Sequence, residues 1–160
     1  MEGKKSYTFE EIKQKLVAYC VYQDRCHQEV EAKMKAYLLI PEAKEEILLF
    51  LLRENYLNEE RFARSYARGK FYVKRWGRVK IRQHLKQKGI NDKLILKSFE
   101  EIEEEDYRIA MQDLARRHYG QQGGGKDFLK KQKTIRYMLG RGFEYEGVLE
   151  ALETIASSED

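Results

Sequence analysis

Apolar residues along this chain recur at intervals of three and four, in runs long enough for helices of a few turns each. In "TFEEIKQKLVAYC", Phe9, Ile12, Leu16 and Cys20 fall on one helical face. Thr8 opens that run as an N-cap. Glu11, three residues later, completes a capping box in which each side chain satisfies a leftover backbone N–H. "IPEAKEEILLFLLREN" starts with Pro41 at the first helical position, where a missing N–H costs nothing. "NEERFARSYARG" begins at Asn58 as N-cap, with Phe62 and Tyr66 one turn apart and Ala63 and Ala67 beside them. A further helix is predicted from Arg78, turning Val79, Ile81 and Leu85 to the core and stopping at Gly89.

The pattern repeats. Shifting the sequence by 53 brings Leu85, Lys88, Gly89, Ile90, Ile95, Leu96, Phe99 and Ile102 onto Met138, Arg141, Gly142, Phe143, Val148, Leu149, Leu152 and Ile155. A backward shift of 47 sets Ile81, Leu85, Leu94, Ile95, Leu96 and Phe99 on Met34, Leu38, Ile47, Leu48, Leu49 and Leu52. Gly89 and Gly142 stand where a glycine in the left-handed conformation ends a helix. Each copy reads as helix, connector, helix, tight turn, helix. The copies are placed at 8–55, 56–105 and 106–156, with tails at 1–7 and 157–160. Units of about 50 residues are marginal alone, so neighbours are expected to share packing. The expected fold is all-α: three tandem three-helix repeats, helix-turn-helix-like, forming an elongated and curved row.

Composition agrees. The 160 residues are 36% charged and 42% hydrophobic, with a single proline, a mix that leans helical. The longest apolar run, within "EEILLFLL", is far short of the ~20 residues that span a bilayer, and "MEGKKSYTFEEI" lacks the apolar stretch of a secretion signal. Cys20 and Cys26, six apart on a predicted helix, point in different directions and are read as reduced thiols of a cytoplasmic protein.

The charge changes the picture more. A net of +4 conceals blocks: −3 over residues 1–60, +12 over 61–99, −6 over 100–115 and +1 over 116–160. From Arg61 to Lys88 there are eleven basic residues and no acidic one. A solvated helix face normally mixes signs at i,i+4 spacing, and repulsion on this scale costs stability, so an anionic partner is favoured. Arg78, Arg82 and Lys86 share one flank of the predicted helix, with Lys74 and Arg75 just before it. A weaker ridge runs through Arg116, Arg117, Lys126, Lys130, Lys131, Lys133, Arg136 and Arg141, where Asp127 is the only acid between 116 and 141. Phe71 and Trp76 are read as core more readily than as stacking platforms, with Tyr72 balanced between the two roles.

Two suggestive segments carry no chemistry. "GQQGGGKD", 120–127, spells G-x-x-x-x-G-K but has Asp127 where a phosphate loop needs Ser or Thr, and it follows a polar helix in place of a strand. "EEIEEED", 100–106, points its carboxylates around a helix and serves better to balance the basic block next to it. His27, His84 and His118 are dispersed, and no metal-ligand or nucleophile–base spacing is present. No catalytic residue, metal or cofactor is expected.

The stretch "YLNEERFARSYARGKFYVKRWGRVKIRQHLKQKGI" resembles the central signature of the RecX regulatory proteins, bacterial modulators of the RecA recombinase. "LLFLLRENYLNEERFA" is similar to the family's junction of first and second repeats, and "KTIRYMLGRGFEYEGVLEAL" to its third repeat. The specific combination is W-G-R-x-K-I-R-x-x-L-x-x-K-G-I followed one repeat later by R-G-F, and the likeness covers residues 8–156. "YLLIPEA" in the first repeat and the Gly-rich connector in the third depart from it. The resemblance implies tandem three-helix repeats without enzymatic activity or cofactor; apart from it, the chain is expected to be a monomer. It implies a protein that lodges along a RecA–DNA filament, hindering its extension and its ATP-dependent activities. The motif's basic positions are Lys74, Arg75, Arg78, Lys80, Arg82 and Lys86, joined as expected filament contacts by Arg64 and Arg68. Lys130, Lys131, Lys133, Arg136 and Arg141 form the secondary ridge. Single- or double-stranded DNA is a further expected contact. The competing reading is a helix-turn-helix-like protein that acts on DNA without RecA.

Overall fold

The structure, a computed structural model, describes residues 6–158. Residues 1–5 and 159–160 of the expected tails lie outside the described residues. The elements are α1 Phe9–Tyr22, α2 His27–Met34, α3 Pro41–Arg53, α4 Glu59–Tyr72, α5 Arg78–Gln87, α6 Asp92–Ser98, α7 Glu104–Gly120, α8 Asp127–Gly140 and α9 Tyr145–Ser158. A short 3-10 turn, Phe99–Glu101, continues α6, and there is no strand among the described residues. Nor is any described helix long and apolar enough to cross a membrane.

Local signals start the helices. Thr8 and Glu11 form the expected capping box, the Asn58 side chain accepts from the Arg61 N–H at 2.9 Å, and Pro41 is the first residue of α3. Gly89 at φ +83° and Gly142 at φ +96° end their helices in the left-handed region.

The helices group in threes, with α1 packing on α2 and α3, α4 on α5 and α6, and α7 on α8 and α9. Ile12, Leu16, Cys20, Val30, Met34, Ile47, Leu51 and Leu57 bury together as a core of the first unit. The second and third units share a larger core that runs from Phe62 and Phe71 through Ile81, Leu85 and Tyr107 to Met138, Phe143 and Ile155. Cys26, at the start of α2, also belongs to it. Burying a side chain such as Phe71 or Phe143 contributes about 2–3 kcal/mol.

The forward register of 53 places buried residues on buried residues: Leu85 with Met138, Ile90 with Phe143, Ile95 with Val148. The backward register of 47 is one helical turn out. The second helices begin at 27 and 78 and the third at 41 and 92, a spacing of 51. At that spacing buried Met34 meets buried Leu85, whereas the shorter shift had set exposed Leu38 against it. The slip arose because α3 carries apolar residues on its outer face too, Leu49 and Leu52 among them.

Candidate functional site

The basic block lies on α4, α5 and the connector 73–77 between them. Ile81 and Leu85 turn α5 inward, which leaves Arg78, Arg82 and Lys86 on one flank and Lys80, His84 and Lys88 on the other.

The N-terminus of α5 has no capping side chain of its own and no acid in its first turn. Its leftover donors are taken by the third unit. Gly77 N–H donates to the Arg141 carbonyl at 2.8 Å and Val79 N–H to the Gly142 carbonyl at 2.9 Å. Arg78 N–H donates to the Tyr107 hydroxyl at 3.0 Å, and that hydroxyl in turn donates to Glu144. Burial, reinforced by Glu144, pushes the Tyr107 phenol far above its usual range, so it acts only as a neutral hydrogen-bonding group. The glycines make this approach possible: a Cβ on Gly77 would stand 2.3 Å from Gly142 backbone, and one on Gly142 would stand 2.3 Å from the Lys80 Cβ. W-G-R and R-G-F are therefore two halves of one joint between consecutive units.

That joint absorbs part of the expected contact set. Arg78 pairs with Glu104 at 2.5 Å and Glu144 at 3.5 Å and lies over the Tyr107 ring at 4.0 Å. Arg141 donates to the carbonyls of Lys74 and Arg75, the latter at 3.2 Å, so it serves the joint. Arg64 reaches Glu100 at 3.5 Å and Glu101 at 3.7 Å, and Arg68 reaches Glu101 at 3.5 Å. Arg82 and Lys86 share Asp92 at 3.4 and 3.3 Å, and Lys86 and then Arg82 hold its carboxyl below the usual carboxylate range. The acidic run thus lies against the basic block. Exposed pairs of this kind contribute little to stability and yield readily to a stronger anion.

Lys74, Arg75 and Lys80 have no carboxylate at ion-pair distance among the described residues, and the same holds for Lys70. Arg75 adopts φ +56°, left-handed backbone that an L side chain rarely takes. Along α8, Lys130 lies over the Tyr119 ring at 4.2 Å, Lys131 pairs with Asp127 at 3.0 Å, and Lys133 and Arg136 are exposed. Phe71 is fully buried. Tyr72 is tied down, its hydroxyl donating to Asp106 at 2.7 Å and accepting from the Glu103 N–H at 3.3 Å.

Trp76 is only half-buried, and the core assignment missed what surrounds it. The ammonium groups of Lys80 and Lys70 stand 4.4 and 4.8 Å from its ring, and the His84 ring stands 4.6 Å away. The spacing of Lys80, His84 and Lys88 at every fourth residue was visible in the sequence, but Lys70 joins them only through the packing of α4 on α5. The Gly-rich segment 121–126 follows a helix and connects α7 to α8, so it is not a phosphate loop. Among the described residues no three His, Cys, Asp or Glu side chains gather as a metal site.

Comparison with known proteins gives a consistent result. Residues 58–97 match the second three-helix domain of RecX and residues 104–152 its third. A regulatory protein RecX from Serratia proteamaculans is 34% identical over 108 residues, which is 68% of this chain and 62% of that protein. One from Clostridium acetobutylicum is 28% identical over 137 residues, 83% of this chain and 63% of that protein. The chain thus spans under two thirds of these curated relatives. The crystal structure of RecX from Lactobacillus salivarius superposes with a TM-score of 0.84 at 21% identity, over 92% of this chain and 96% of that one, and shows the same fold.

Proposed function

We propose, on the premise that the chain belongs to the RecX family, that it is a regulatory protein that seats a basic face on a RecA–DNA filament and inhibits its extension, ATPase and recombinase activity. The observation that carries this reading is the basic block, net +12 over residues 61–99, in which Lys70, Lys74, Arg75 and Lys80 are left without carboxylate partners among the described residues. Binding is steric and electrostatic, by a monomer, with no catalytic step and no cofactor.

The contacts divide by what holds each cation. Lys74, Arg75 and Lys80 meet the filament directly. Arg68, Arg82 and Lys86 exchange a surface carboxylate for it, and Lys130, Lys131, Lys133 and Arg136 extend the face along the third unit. Arg64, Arg78 and Arg141 keep the face in shape. The units 8–55, 56–105 and 106–156 act as successive segments of that docking surface.

The test is single-strand-dependent ATP hydrolysis by the cognate RecA at fixed salt, with this protein added below stoichiometry and its affinity for bare strand measured alongside. Inhibition is expected well below the concentration that coats free DNA. Exchanging Lys74, Arg75, Lys80 and Arg82 together for Ala leaves the helical circular dichroism intact and raises the half-inhibitory concentration more than about tenfold, as expected when several phosphate- or carboxylate-facing cations are lost. Full inhibition by that folded variant removes this face from the mechanism. Inhibition that starts only when the bare strand is saturated makes the protein a DNA-binding competitor acting without RecA.

A further inference from the structure

Trp76 is the chain's single tryptophan, and its setting is unlike that of the buried aromatics. Its backbone N–H donates to the Lys70 carbonyl at 3.0 Å, which fixes the connector to the end of α4, and its ring packs against the shared core while keeping part of its surface in solvent. Around it stand Lys80 at 4.4 Å, Lys70 at 4.8 Å and the His84 ring at 4.6 Å, tilted by 53°. The Tyr66 ring extends the group, with Lys70 at 5.3 Å and Lys88 at 5.9 Å from its centre. Three elements therefore converge: α4 with Tyr66 and Lys70, the connector with Trp76, and α5 with Lys80, His84 and Lys88. Among the described residues, the one carboxylate at ion-pair distance from these lysines is Glu29 of α2, 4.0 Å from Lys88.

Burial lowers the affinity of His84 for a proton, and Lys80, Lys70 and Lys88 lower it further. The group thus offers three cations around aromatic planes, two of them with no counter-ion among the described residues. Phosphate supplies the missing charge, and an unpaired base supplies a plane to match Trp76. We propose that this cluster is a binding site for single-stranded nucleic acid, with Lys70, Lys80 and Lys88 on successive phosphates and a base stacked against Trp76 beside His84. A duplex keeps its bases stacked inside and offers the Trp76 ring no free base plane. An acidic protein surface would meet the lysines but gives the ring nothing to stack on. The α5 N-terminus takes no part, because the third unit already holds its N–H groups. This inference deepens the reading above by naming the strand as a contact, and rests on it only for the setting.

The single tryptophan makes the test direct. The whole chain is titrated at low salt with a fluorescently labelled thymidine oligonucleotide, with inorganic polyphosphate and with ATP, following Trp76 emission throughout and strand anisotropy in the first case. Quenching is expected to follow strand binding, with little quenching by polyphosphate. Changing Lys70 and Lys80 to Gln keeps their stems; it is expected to weaken strand binding about tenfold and to flatten its log–log salt slope by about 0.7 per lysine. Trp76→Phe keeps most of the packing volume and is expected to weaken strand binding severalfold, leaving polyphosphate binding unchanged. Unchanged melting temperatures for both variants separate these losses from unfolding. Strand binding without any change in Trp76 emission overturns the proposal, as does equal quenching by polyphosphate, which would mark a plain anion site. Tighter binding of ATP than of the strand reassigns the site to free nucleotide. If the Lys70/Lys80 variant loses strand binding but inhibits RecA normally, the site stands and its part in inhibition falls. If strand binding is intact in the parent and RecA is unaffected, the regulatory reading falls and the site survives.

Discussion

Arg75 occupies backbone that glycine adopts more cheaply. Its N–H donates to the Phe71 carbonyl at 2.9 Å, and its φ of +56° closes the end of α4. An L residue there costs about 1–2 kcal/mol, while a glycine loses about 0.5–1 kcal/mol in unfolded-state entropy. Arg75→Gly is therefore expected to leave stability within about 1 kcal/mol of the parent by urea denaturation while weakening filament inhibition severalfold. A larger loss of stability would mean that the guanidinium, 5.3 Å from the Phe71 ring, is structural. His84 supplies a second residue-scale expectation. Its folded-state pKa lies below the ordinary 6.5, through burial first and then Lys80, Lys70 and Lys88. The unfolded chain then binds the proton more readily, so stability is full above about 6.5 and declines as pH falls below it towards the folded value. His84→Gln should flatten that decline, and chemical denaturation at pH 7.5 and 5.5 measures it. Filling the site with phosphate reverses the balance, so strand affinity should rise over the same fall in pH.

At the scale of elements, α5 is a helix whose start is completed by another unit. Gly77→Ala drives a Cβ into the Gly142 backbone, and Gly142→Ala adds a left-handed strain to a clash with Lys80. Each is expected to cost about 3 kcal/mol or more by urea denaturation. Gly124→Ala in the connector, where an added Cβ meets nothing within 4 Å, should be near neutral. A mild effect of Gly77→Ala would show that the second and third units can separate at this joint without loss. The equivalent joint between the first and second units is looser. There Gly89 faces the Gln28 side chain, and Lys88 reaches Glu29 at 4.0 Å.

At the scale of the molecule, the first unit keeps a core of its own while the second and third share one. Across the boundary Arg61 pairs with Asp24 at 2.7 Å and donates to the carbonyls of Asn55 and Tyr56 at 3.0 and 3.1 Å. Cooperative units in hydrogen exchange follow contiguous cores. Amides in the middle of α1 and α3 are therefore expected to exchange faster than those in the middle of α4, α7 and α9. Equal rates for the slowest amides of both groups would make the chain a single cooperative unit.

Helix starts at Phe9, Pro41, Glu59 and Arg78, stops at Gly89 and Gly142, and the register of the last two units were all legible in the linear chain. Caps, proline, glycine and apolar spacing act within a turn or two, so the information is local. The register of the first unit was misread because apolar side chains on the outer face of α3 imitate the inner pattern. The linear chain also exposed the basic block, since composition needs no fold. Which of its cations remain free was decided by tertiary structure alone. Arg64, Arg68 and Arg78 meet carboxylates 26 to 66 positions away, while Lys70 and Lys80 close on Trp76. Coulomb attraction at contact distance depends on where the chain returns in space, and that is set by packing.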